Sequence, residues 1–161
     1  MSQKENFTEQ EWTGLLLAPV MAGTYIIVAD VSIMAMPNEM KNMLKAITEQ
    51  PAPAEAQELV AALVADIKAK SAQKEKLDSP QLDDKQNPKP QLLALLKQHL
   101  AVLDEKGAPG EKAAFSAWLM AVAQATAEAG REGGFLGIGA VRVSDQEQAA
   151  LAELKQAFGL V

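Results

Sequence analysis

The sequence predicts an all-α fold, a single bundle of about six helices with two buried, uncharged helices at its centre. Three observations lead there. Twenty-nine Ala and 19 Leu stand against 21 Val, Ile and Thr combined, a balance that favours helix over sheet. Apolar residues recur at three- and four-residue spacing through most of the chain. Proline and glycine cut those periodic stretches into segments of ordinary helix length. At 161 residues the chain has the size of one domain, 1–161, with enough material for a core.

The first helix is expected from about Thr8 to Asp30. Thr8 and Glu11 form a capping-box pair, and Phe7 before them is placed to staple back onto the first turn. Pro19 predicts a kink or break, because it cannot donate to the carbonyl four residues earlier. Trp12 to Ala29 carries no charge over 18 residues, long enough at ~1.5 Å per residue to approach a bilayer core. Thr13, Gly14, Pro19, Gly23 and Thr24 dilute it, and acids rather than Lys or Arg flank it, so a buried bundle helix is predicted instead. Glu5, Glu9 and Glu11 stand where a signal peptide carries basic residues, which predicts a cytoplasmic rather than a secreted protein.

A second helix is expected near 37–50, opened by Pro37. The PAP at 51–53 ends it and starts a third, whose Ala56, Leu59, Val60, Leu63, Val64 and Ile67 make one apolar face. Residues 72–90 mix charges with three prolines and read as a polar linker or loop. The fourth helix, about 91–106, stops at Gly107 and Pro109. A fifth is expected from about Pro109 to Ala129, with 15 uncharged residues from Ala113 to Ala127. Gly130 to Gly139 holds five of the ten glycines, and the AVRVS after it alternates as a short extended piece would. Ser144 and Glu147 form a second capping box, opening a last helix that ends near Phe158, before Gly159.

Several function classes drop out on composition. With no Cys there is no disulfide framework and no thiolate chemistry. A net charge of −6 without clustered Lys and Arg predicts no nucleic-acid binding. The glycine-rich segment lacks the Lys-Ser/Thr of a phosphate loop. Its apolar residues Phe135, Leu136 and Ile138 are candidates for binding a protein partner, a second copy of the chain or a membrane surface. Folding over the bundle end is the plainer expectation, and membrane association is not the leading one. Met34, Met36, Met40 and Met43, with Met21 upstream, read as fillers of irregular core gaps.

The carboxylates form the other candidate set. An uncharged, Trp-bearing helix occurs in each half and ends at an acid, Asp30 or Glu128. A loop and an amphipathic helix with an acid in its first turn, Glu39 or Glu147, follow each one. If these ends converge, Asp30, Glu39, Glu128 and Glu147 supply oxygen ligands suited to Ca²⁺ or Mg²⁺, with Glu132 and Asp145 nearby in sequence. Helix-dipole complementarity and capping account for acids in first turns without any metal. His99 lies on the apolar stripe Leu92, Leu95, Leu96, Leu103. It is expected to be at least half buried, with an enzymatic role requiring a partner acid.

The Ala29-Asp30 pair with Glu39, and VSDQEQAALAEL with Glu147, resemble the helix-turn-helix pieces of the TerB-like tellurite-resistance family. Val31 stands where that family commonly has Gly, the Asp30-to-Glu39 spacing is longer, and the second half lacks the Asp. The resemblance implies a helical bundle with an acidic, metal-binding surface that acts in stress response as a non-enzymatic interaction module. The competing readings are a small hydrolase-type enzyme built on a carboxylate pair with His99, and partner or peripheral membrane binding through 130–139.

Overall fold

The computed structural model describes residues 2–30, 36–76, 79–129 and 143–160, with 36–39 described in their backbone only. Among them are six α-helices and no strand. They are α1 (Glu9–Ile27), α2 (Met36–Glu49), α3 (Gln57–Ala72), α4 (Pro88–Lys106), α5 (Glu111–Ala129) and α6 (Asp145–Ala157). Short 3₁₀ turns cover Lys4–Asn6 and Ala54–Ala56.

The start of α1 follows from its sequence signals. Thr8 Oγ1 accepts from the Glu11 N–H at 3.2 Å, and the Thr8 N–H donates to Glu11 Oε2 at 2.7 Å. Phe7 and Trp12 then meet with ring centroids 5.9 Å apart, both buried, which is the hydrophobic staple in place. The expected break at Pro19 does not occur, and α1 runs on through it. Leu15, Leu16, Ala18, Met21 and Ala22 are buried on both sides of the proline. Their burial offsets the roughly 3 kcal/mol that an interior proline costs a helix.

A handful of contacts set the direction of the helices. Ser2 bonds Glu111 at the start of α5, while Gly23, late in α1, faces Thr126, late in α5, so these two helices run in parallel. They are the uncharged pair, and they pack on each other more extensively than any other two elements. The antiparallel course of α4 along α1 shows in three successive contacts: Lys89 with Tyr25, His99 with Gly14, and Lys106 with Glu11. In the same way α2 runs against α5, with Asn42 at Ala129 and the Gln50 carbonyl accepting from the Trp118 indole at 3.1 Å. Helix α6 touches both central helices.

Small residues allow close approach here, though mainly against an amphipathic helix. A Cβ on Gly23 would lie 2.5 Å from Met43 Sδ in α2 and 3.5 Å from Thr126 Oγ1. Met21 and Met43 are fully buried core fillers, whereas Met40 is half exposed. Met34 and the side chain of Met36 lie outside the described residues.

Charged pairs tie the periphery to this core. Asp66 of α3 accepts from the Trp12 indole at 2.8 Å and from Lys4 at 2.6 Å, and Lys4 holds its carboxyl below the ordinary value against the opposing effect of burial. Glu153 of α6 accepts from the Tyr25 hydroxyl and pairs with Lys89 at 2.9 Å; both lower its pKa. Burial first, then Glu153, raises the Tyr25 phenol.

The polar linker begins and ends on specific bonds. After α3, Glu75 N–H donates to the Lys70 carbonyl at 2.9 Å and Lys74 N–H to the Ser71 carbonyl at 3.1 Å, a Schellman closure. Its left-handed position is held by Lys74, at φ 55°. A Lys74→Gly variant is expected to raise stability by about 0.5 kcal/mol, relief of left-handed strain less the added chain entropy. An unchanged or lower urea midpoint would contradict this. At the far end, Gln91 Oε1 accepts from Asp83 N–H at 2.6 Å, and its Nε2 donates to the Asp84 carbonyl at 2.8 Å. This clamp lets α4 start at Pro88, three residues earlier than the sequence predicts, with Pro88 and Pro90 in its first turn.

One buried atom in α5 has no partner among the described residues, the Ser116 hydroxyl. An unmade buried hydrogen bond is costly, so Ser116→Ala is expected to stabilise by about 1 kcal/mol in thermal unfolding. A lower melting temperature for that variant would reveal a partner the hydroxyl needs.

Candidate functional site

His99 lines an open cleft on the bundle surface. Residue 14 of α1 is a glycine, and the His99 ring of α4 occupies the volume a side chain there would fill: a Cβ would lie 2.3 Å from Nδ1 and 2.8 Å from Cε1. The ring is therefore laid flat against the α1 backbone, half buried, and burial lowers its pKa, so it is neutral at pH 7. Beside it opens a cleft of about 620 Å³ between α1, α4 and the linker. Leu17 and Leu95 give it apolar walls with Pro80, while Thr13, Gln10 and Gln81 add neutral polar groups. Its volume lies within the range of small-ligand sites.

Two local features shape this cleft. Thr13 donates its hydroxyl to the Glu9 carbonyl at 2.8 Å, keeping the polar group on its own helix. Ser79, Pro80 and Gln81 also line the cleft, on the linker between the α3 closure and the Gln91 clamp. The described lining contains one carboxylate, Glu9. The carboxylate pair that a hydrolase reading requires beside His99 is thus not assembled there among the described residues.

The described acids among the predicted metal ligands are placed as follows. Glu147 is buried in the first turn of α6, where its Oε2 accepts from the Ser144 N–H at 2.8 Å and completes the second capping box. Asp30, just beyond α1, is also buried. Glu128 is exposed in the last turn of α5, accepts from Gln124 at 2.7 Å, and lines a notch of about 200 Å³ with Asn42, Lys45 and Glu49. Asp145 is exposed in the first turn of α6. Among the described residues, no group of three or more His, Asp or Glu comes together in a way that could hold a metal ion. The Glu39 side chain and Glu132 lie outside the described residues, as do Phe135, Leu136, Ile138 and the rest of 130–142.

Sequence reasoning placed His99 correctly on a buried stripe but missed its cleft. Gly14 read only as a residue that dilutes an apolar run, and Pro80 only as linker. The one available signal was a glycine on an otherwise apolar helix face, which marks close approach without naming what approaches. No described helix is long and apolar enough to cross a membrane. No family model matches the chain, and neither a curated protein nor a solved structure matches it.

Proposed function

We propose that the chain is a non-enzymatic helical interaction module, of the stress-associated kind the TerB-like resemblance implies, and that its working surface is the cleft between α1 and α4. The observation that carries this reading is the Gly14–His99 contact. It sets an aromatic ring with two nitrogen atoms, neither bonded to a described residue, into the wall of an apolar cleft. A lone imidazole among Leu17, Leu95 and Pro80 suits recognition, since acid–base catalysis needs a partner group to orient the ring.

Titration of the ¹⁵N-labelled protein with indole, a neutral apolar probe with one N–H donor, tests the site. Chemical-shift changes are expected at Thr13, Gly14, Leu95 and His99, and Leu95→Lys should abolish them by setting a cation into the apolar wall at a position only partly buried against the core. Shifts scattered elsewhere, or shifts that persist in a folded Leu95→Lys variant, would overturn the assignment.

A further inference from the structure

The chemistry of the cleft goes further, resting on its assignment as the binding site. We infer that it takes a small organic cation, an ammonium joined to an apolar body. The reason is charge complementarity. Among the described residues lining the cleft, Glu9 is the charged one, and none is Lys or Arg. The other polar groups, on Gln10, Thr13, Ser79, Gln81 and His99, are neutral.

An anion would find no cationic counterpart among the described lining residues. The N-terminus of α1, the usual cradle for one, is already closed, because Thr8 and the Glu11 carboxylate engage its capping box. Lys106, near that end of α4, is held on Glu11 at 2.6 Å. The net charge of −6 adds a long-range field of the same sign as Glu9. An ammonium, by contrast, gains the Glu9 carboxylate and can donate to the imidazole, whose neutral form has one acceptor nitrogen. Leu17, Leu95 and Pro80 then cover its apolar body.

Three probes with one body separate the terms: 4-phenylbutylamine, 4-phenylbutanol and 4-phenylbutyrate, each titrated at pH 7 and low salt with His99 ring shifts as the readout. The amine is expected to bind about tenfold more tightly than the carboxylate, with the alcohol between them. Added salt and Glu9→Gln should each shrink that preference, and the capping box, built from Thr8 and Glu11, keeps the variant folded. Equal binding of all three, or an amine preference untouched by Glu9→Gln, overturns the charge inference while leaving the cleft assignment standing. Binding of none overturns both.

Discussion

Replacing Trp118 by Ala should destabilise the protein by about 3–5 kcal/mol, the largest loss expected from any single core truncation here. Trp118 is fully buried on α5, stacks on Phe115 with centroids 5.6 Å apart, and donates its indole N–H to the Gln50 carbonyl at the end of α2. One side chain therefore fills core volume and fastens the antiparallel α2 onto α5. Trp118→Phe keeps most of the packing and removes only the bond, so it should cost about 1–3 kcal/mol through the stranded carbonyl. Urea denaturation followed by far-UV circular dichroism reads both. A loss below about 1 kcal/mol for the alanine variant would mean that α2 is held elsewhere.

The second large effect concerns Glu111, a fully buried carboxylate at the start of α5. Its Oε1 accepts from the Ser2 N–H at 2.8 Å, and its Oε2 from the Ala108 N–H at 2.8 Å and the Ser2 hydroxyl at 2.5 Å. Burial raises the pKa of this group, yet the hydrogen bonds from Ser2 and Ala108 outweigh it and leave the carboxyl below its ordinary value of 4.5. Glu111→Gln turns one acceptor into a donor facing donors, and a loss of about 3 kcal/mol at pH 7 is expected.

The pH dependence follows from the direction of the shift. A carboxyl whose folded pKa lies below its unfolded one stabilises fully above the unfolded value, and that contribution disappears as pH falls through the folded one. Wild-type stability should therefore decline below about pH 4.5, with Asp66 and Glu153, both lowered, adding in the same sense. The gap between wild type and Glu111→Gln should narrow over that range. A gap that stays constant into strong acid would show that Glu111 acts by shape rather than by charge.

Most of the architecture could be read from local signals. Thr8-x-x-Glu11 and Ser144-x-x-Glu147 each place a helix start to the residue, because a capping box involves only neighbours in the chain. The uncharged stretches of α1 and α5 marked the central pair because a helix without a polar face has nowhere to go but inside. Pro19 does not end α1 for a related reason: the local rule gives the cost of the missing hydrogen bond, while the burial that offsets it comes from other helices.

The functional surface was far less legible. His99 and Gly14 are 85 positions apart in number, and neither identifies the other until α4 lies antiparallel along α1. Of the acids grouped by their sequence positions, Glu147 sits in its own capping box and Glu128 on an exposed last turn. Composition, periodicity and caps act over a few residues, so the chain itself was enough to specify the helices, their order and which two are central. Direction, pairing and the cleft depend on which side chains pack across helices, a long-range property of the folded core alone.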